Sequence, residues 1–459
     1  MQLDFRHEPE GVVVAHARRL IGRTLRELYG DSPDQRSGKG AFGQLVEQLH
    51  FGYAPNSDVS RDLETAALEL KATGVVPSGT SRWRAKERLV LNIIDYMALP
   101  GETAYRGSAF FMKNARILLV VYEWAVNHGP LDHRVNLVHV LDLDTLPPKD
   151  QMVIEDDWFT IRRFVAQGRA HELSEGHTNY LVAARKGAGR GRDLRSQPCS
   201  VEPAQQRAYS LKATFISRLL VDAYDTQARQ RLEASQAPLL RDDDVEAGRS
   251  IEEAVSSRMA RFVGHSDVAI QESIAPDLNR RAKGYHATLV RRMLGVTTHA
   301  VEEFEKADVT LKVVRVQPNG RPRESVSFPA FRYQDLARQT WRTSALRTQL
   351  SRRFLFAFFM YRDGVLHFER ASFWTMPVRT LEFEARRVWV ETVRRVRTGR
   401  ANALPDSSFS DTVHVRPHAR NSMDTDVTPQ GQQVVKKSFW LNASYVGEVF
   451  QATATTKEH

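Results

Sequence analysis

One cysteine, Cys199, stands in 459 residues, so the chain can form no internal disulfide and no cysteine-rich zinc site. Cys199 itself reads as a spectator thiol in a loop. Long apolar runs are missing as well: the longest strongly apolar stretch, Ile117 to Val121, is far too short to cross a bilayer. The opening residues MQLDFRHEPEG lack the apolar centre of a signal peptide, and a cytoplasmic protein is expected. No Gly-rich phosphate loop and no G-x-S-x-G elbow occurs. The segment from His171 to His177 (HELSEGH) offers two histidines and two carboxylates but not the H-E-x-x-H spacing of a zinc helix, and it reads as a structural turn.

What is present is a globular composition with excess positive charge. Hydrophobic residues make up 42% and charged residues 26%, which excludes a disordered or membrane chain. The length suits two domains of about 200 residues each. Lys and Arg exceed Asp and Glu, 65 against 55, for a net charge of +10 and a pI near 9.7. That balance fits a polyanionic partner, since each neutralised phosphate releases condensed counterions.

Residues 39–73 carry the chemistry: KGAFGQLVEQLHFGYAPNSDVSRDLETAALELKAT. Glu47 falls on a predicted helix. Asp62, Glu69 and Lys71 follow in a D-x6-E-x-K pattern around a predicted strand. Strand residues two apart share a face, so Glu69 and Lys71 point together while Leu68 and Leu70 turn to the core. Three carboxylates and an ammonium at one point suit phosphodiester hydrolysis with magnesium. Carboxylate oxygens hold a hard cation, the metal polarises the phosphoryl group and acidifies a water, and the lysine orients that water or stabilises charge on phosphorus. By itself D-x6-E-x-K is a weak pattern that an amphipathic edge strand can carry. Asp58, in P-N-S-D, is a competing carboxylate, and the spacing favours Asp62.

K-G-x-x-G-x-L-x-E followed by P-N-S-D and E-L-K resembles the active-site region of the MutH-like endonuclease family. Further matching segments are LNIIDYM (91–97), SAFFMKNARILLVVYEW (108–124), GRAHELSEGHTNYLVAARKGAG (168–189), RAYSLKATFISRLL (207–220), HVRPH (414–418) and KKSFWLN (436–442). They span nearly the whole chain, and they favour the two-domain, GATC-cutting type II restriction enzymes of the Sau-three-A kind over the shorter mismatch-repair nickase. The resemblance implies metal ligation by Glu47, Asp62 and Glu69, catalysis by these with Lys71, and Mg2+ as cofactor. A further family lysine falls at Lys113, which the resemblance places near the scissile phosphate. The loop matching Arg185 and Lys186, within the basic, glycine-rich 184–192, enters the DNA groove in the family, where such side chains can read guanine.

The chain also reads as two copies of one plan. KGAFGQLVEQLHFG (39–52) lies over KGYHATLVRRMLG (283–295), and ALELKAT (67–73) over DVTLKVV (308–314). ILLVVYEW (117–124) answers FLFAFFMYRDG (354–364). Glu47 then aligns with Arg291, Glu69 with Thr310 and Lys71 with Lys312, so the second copy has lost two carboxylates. Lys312 reads as a surface lysine covering apolar area with its stem. The expected division is a catalytic MutH-like domain at 1–225, a linker at 226–250 ending in an exposed acidic turn, and a degenerate, DNA-binding and allosteric domain at 251–459. In the latter, His414, Arg416 and His418 form the counterpart DNA-reading loop.

The expected fold is mixed α/β, with duplicated restriction-endonuclease-like domains, each a mixed sheet flanked by helices. Helices are predicted around 11–30, 40–51, 83–98 and 205–222, and strands around 66–74, 115–124 and 134–142. The expected function is Mg-dependent cleavage of both strands of duplex DNA at GATC, leaving 5′ phosphates. Two sites held at once, or a dimer formed on DNA, are assemblies this layout permits, with a methyltransferase as host companion. Two alternatives stay open: a MutH-like nickase, and a non-catalytic protein that bridges DNA sites.

Overall fold

The computed structural model describes residues 4–31, 38, 40–54, 61–79, 81–187 and 193–455 of this mixed α/β protein. The first sheet has the order Trp83–Ala85, Glu69–Pro77, Arg116–Glu123, Val135–Asp142. Glu69–Pro77 runs parallel to Arg116–Glu123, and the other neighbours are antiparallel. A second sheet sets Arg207–Leu211 between Leu89–Ile93 and Leu181–Arg185. The strands Leu194–Gln197 and Ser200–Gln205 form a hairpin whose turn carries the exposed Cys199 at φ 55°.

Between residues 309 and 441 the same strand order is repeated in part, with three strands in the large sheet where the first has four. Val309–Val316 is parallel to Arg353–Arg362, which pairs antiparallel with Val365–Thr375. Lys437–Leu441 lies between Val326–Ser327 and Val413–Pro417. Alternation along the central strands decides where the cores sit. Ile117, Leu119 and Val121 enter one apolar core, while Leu118 and Val120 enter another with Phe42, Leu68 and Leu70. Leu355, Ala357 and Phe359 join the same core as Ile117, and Phe354, Phe356 and Phe358 turn to a third. One apolar layer is therefore shared between the two large sheets.

One predicted helix is absent and another is only partly helical. Residues 83–98 form the strands Trp83–Ala85 and Leu89–Ile93, because Leu89 and Leu91 alternate with more open positions. Residues 205–222 begin as the strand Arg207–Leu211, buried at every position, and turn helical only at Ala213. A fully buried strand has no polar face, so its periodicity cannot be told from that of a helix. The predicted helix 11–30 is split into Glu10–Arg18 and Leu25–Tyr29. The strands at 66–74, 115–124 and 134–142 are found as Glu69–Pro77, Arg116–Glu123 and Val135–Asp142. In 226–250, Asp242 and Asp243 are exposed as expected, but Asp244 is buried against Arg249 and Arg258, and Leu239 and Leu240 join the shared core. Among the described residues no helix is long and apolar enough to cross a membrane.

The helix that carries Glu47 is anchored by a pair of neutral histidines. Ala41–Leu45 begins at Gly40, whose φ of 87° suits glycine, and continues as the π-turn Val46–His50. His50 stacks on His16 with ring centroids 4.0 Å apart. His16 Nε2 lies 2.8 Å from His50 O, and His50 Nε2 lies 3.0 Å from His16 O. Carbonyls only accept, so both Nε2 atoms carry the proton, and His50 Nδ1 accepts from the Tyr29 hydroxyl at 2.6 Å. Burial first, and then the cost of placing a second positive ring against His16, pulls the His50 pKa from 6.5 to about 4. A depressed histidine contributes stability that is complete above its ordinary value and is lost as pH falls through the folded value. Urea unfolding should show up to roughly 3 kcal/mol lost between pH 6.5 and 4, and His50→Asn should flatten that stretch of the profile.

Candidate active site

Glu69 opens the parallel strand and is 1% exposed. A carboxylate so placed needs partners, and three converge on it. Lys71, two residues on and on the same face, donates its ammonium to Oε1. The Lys113 ammonium lies 3.7 Å from the same oxygen. The Asp62 backbone N–H donates to Oε2 at 3.2 Å, and Asp62 Oδ2 accepts the Leu70 N–H at 3.1 Å. Leu68 and Leu70 point into the opposite core, as alternation requires. Asp62, Glu69, Lys71 and Lys113 are thus brought to one point from a loop, a strand and the helix Ala109–Asn114.

The electrostatics set the two acids apart. Burial and the neighbouring Glu69 charge raise the Asp62 carboxyl to about 6, against the pull of Lys71 and Lys113. Buried paired carboxylates supply the hard oxygen donors that magnesium takes, one or two from protein and the remainder from water and phosphate. The pair therefore fits a hard divalent cation. The expected trio is not gathered: among the described residues no three His, Cys, Asp or Glu side chains form a metal-holding cluster. Glu47 sits on the π-turn Val46–His50, half-buried. Its charge still reaches the site's edge, because Tyr53 feels Asp62, Glu47 and Glu69 together, which with burial raises its phenol. The Tyr53 hydroxyl is buried and without a hydrogen-bond partner among the described residues. Asp58 lies outside the described residues.

Other predicted residues are placed as follows. Arg185 ends the strand Leu181–Arg185 and donates from Nη1 to Glu382 Oε1 at 3.1 Å. Glu382 also accepts from Arg347 Nη2 at 2.9 Å and Trp341 Nε1 at 2.8 Å. Lys186 is exposed beside Gly187, whose carbonyl accepts from Arg342 at 3.2 Å. The rest of that basic segment, 188–192, lies outside the described residues. The segment with His414, Arg416 and His418 was expected as a loop and is the strand Val413–Pro417 with one residue beyond, because it pairs with Lys437–Leu441. His414 faces inward, 2.5 Å from Asn442 Oδ1. Arg416 is exposed and lies over the Trp440 ring at 3.8 Å, and His418 packs on the same indole. His171 and His177 bond locally, to Gln197 and to the Ser174 N–H.

Two residues near the acids carried no signal that singled them out in the sequence. Tyr53 reads as one more aromatic after Phe51, and its orphaned hydroxyl is visible only in three dimensions. Arg61, adjacent to Asp62, donates from Nε to Met112 O at 2.7 Å and from Nη1 to Ala67 O at 2.9 Å.

The raised Asp62 carboxyl yields a stability test. A carboxyl held above its ordinary 3.8 favours folding only while neutral, so its contribution is present below that value and lost as pH rises through about 6. Asp62→Asn is neutral throughout and keeps an acceptor for Leu70. In metal-free buffer it should raise the urea midpoint above pH 6 and match the parent protein below pH 4.

The chain matches the family model described as "DNA mismatch repair enzyme MutH" over residues 51–157, the stretch that holds Asp62, Glu69, Lys71 and Lys113. It is 30% identical to the type II restriction enzyme Sau3AI of Staphylococcus aureus, across 94% of this chain and 96% of that protein. It is 24% identical to the DNA mismatch repair protein MutH of Shewanella amazonensis, across 46% of this chain and 94% of that one. A buried Glu69 held by two lysines and by the Asp62 N–H, inside a sequence similar over nearly its whole length, leads to one conclusion: the chain belongs to the MutH-like endonuclease family and is a type II restriction endonuclease.

Proposed function

We propose that the enzyme binds duplex DNA at GATC and hydrolyses one phosphodiester in each strand with Mg2+, leaving 5′ phosphates. The observation that carries this is the meeting of Asp62, Glu69, Lys71 and Lys113 around one buried carboxylate. Magnesium on Asp62 and Glu69, with Glu47 at the edge, would polarise the phosphoryl oxygen and acidify water. Lys71, held on Glu69 Oε1, orients the attacking water and stabilises charge gathering on phosphorus. Lys113 adds a second cation on the side of the scissile phosphate. Arg185 and Lys186 read bases, with the companion host methyltransferase protecting the same sequence.

Residues 1–225 cut, 226–250 join, and 251–459 bind DNA without cutting. The partly repeated strand order supports this division, as do two matched backbone positions. Gly40 and Gly284 both open their helices with positive φ, 87° and 86°, and Ala67 and Asp308 both take φ 53° two residues before Glu69 and Thr310. In that register Thr310 and Arg291 stand where the first half has Glu69 and Glu47. Lys312 is no free surface lysine: its ammonium donates to Ser327 O at 3.0 Å. Arg416 and His418 remain the exposed DNA-reading candidates of the second half, with His414 behind them.

A digest of unmethylated plasmid of known sequence, with the ends sequenced, tests the centre. The parent protein should give discrete fragments sharing one end sequence. Lys71→Ala and Glu69→Ala should each lose at least about 100-fold in rate while still shifting DNA on a gel. Wild-type cutting by Lys71→Ala would remove this assignment, and nicked circles alone would favour a nickase.

Contact between the halves at Arg185–Glu382 and at Arg342–Gly187 supports a further step, in which DNA on residues 251–459 promotes cutting by residues 1–225, with two sites held at once or through a dimer on DNA. A plasmid with two sites should then be cut faster than one with a single site. Equal rates would sink the coupling and leave the cutting centre untouched.

A further inference from the structure

We infer that Arg61 is a positioning residue that holds the loop of Asp62, the entry to Glu69 and the helix of Lys113 in one arrangement, through two bonds from a single guanidinium. The inference rests on the reading of Asp62, Glu69, Lys71 and Lys113 as the cutting centre.

Arg61 is adjacent to Asp62 in the chain, so whatever fixes its side chain limits where that carboxylate can go. Its Nε donates to Met112 O at 2.7 Å, and Met112 is the residue before Lys113 in the helix Ala109–Asn114. Carbonyls in the last turn of a helix have no partner within it, and a cationic donor suits that end. Its Nη1 donates to Ala67 O at 2.9 Å. Ala67 takes φ 53°, an uncommon left-handed conformation for a residue with a Cβ, and lies two residues before Glu69. The strained turn is closed on the other side by the Leu63–Leu68 bridge, in which each N–H donates to the other's carbonyl. Arg61 therefore touches the three segments that deliver Asp62, Glu69 and Lys113, without touching Glu69 itself.

The guanidinium is suited to this because it is planar and its donors are fixed relative to one another. Two carbonyls bonded to one rigid fork cannot move independently, whereas the single ammonium of lysine would impose no such geometry. The chemistry needs that rigidity: Lys113 sits 3.7 Å from Glu69 and Asp62 shares its backbone N–H with the same carboxylate, so a small slip of the loop breaks both relations.

The test uses the full-length protein with Arg61→Ala, Arg61→Lys and Lys71→Ala as a control. Single-turnover cleavage of a plasmid in Mg2+ is read alongside DNA affinity by gel shift in Ca2+ and the thermal midpoint. Arg61→Ala should cut roughly 100-fold more slowly, the cost of a misplaced group, with DNA affinity and thermal midpoint unchanged. Added guanidinium should restore part of that rate, and Arg61→Lys should fall between. Wild-type cutting by Arg61→Ala overturns the inference. So does a parallel fall in rate and DNA affinity, which would make Arg61 a phosphate contact. If Arg61→Ala does not fold, Arg61→Lys decides on the same readouts. Should Lys71→Ala cut normally, the centre itself is misassigned and the role of Arg61 falls with it for that separate reason.

Discussion

Glu69 is a carboxylate taken out of water at the first residue of a parallel strand, and its neighbourhood is arranged around the cost of that burial. Lys71 and Lys113 share one of its oxygens and the Asp62 N–H takes the other. The compensation is uneven, since the adjacent Asp62 carboxyl is pushed up to about 6 by burial and by Glu69. The acid pair favours a hard cation and the two lysines a phosphate, each of which would relieve one sign of the local charge. Stability alone would be better served by an apolar pair, because buried ion pairs seldom repay their desolvation. Buried, mutually perturbing charges of this kind cluster at functional sites.

The larger architecture serves the same point. The strand that presents Glu69 and Lys71 is pinned on one face by Leu68 and Leu70 against the N-terminal helices. Its neighbour, Arg116–Glu123, is pinned on the other face by the core that also takes Leu355, Ala357 and Phe359. The two halves consequently meet across shared apolar packing, with polar ties at Lys306–Asp150 and Lys149–Glu302, as well as at Arg185–Glu382. A displacement in one large sheet has a route to the other through close-packed side chains, which deform poorly.

Much of the site was legible because its logic is local. The two-residue period of a strand puts Glu69 and Lys71 on one face whatever the rest of the fold does. The apolar run 117–121 is a central strand for the same reason, since β-branched and aliphatic residues at every position suit a sheet covered on both sides. That logic failed at Arg207–Leu211, where continuous burial resembles a helix, and at 83–98, where two short strands break a pattern with helical spacing. It failed again at HVRPH, whose pairing partner lies over twenty residues further on, at Lys437–Leu441.

The sequence by itself determined the carboxylates, the lysine beside them and the family, because each is a matter of residue type and short spacing. Only the tertiary structure decided that Asp62 and Lys113 reach the same carboxylate and that His414 turns inward. It alone brought Arg185 onto Glu382, 197 residues away, and Arg61 onto Met112, 51 residues away. The physical reason is one of range. Alternation and helical period act over a few residues, whereas contacts between distant segments follow from how apolar faces pack, and packing depends on every element at once.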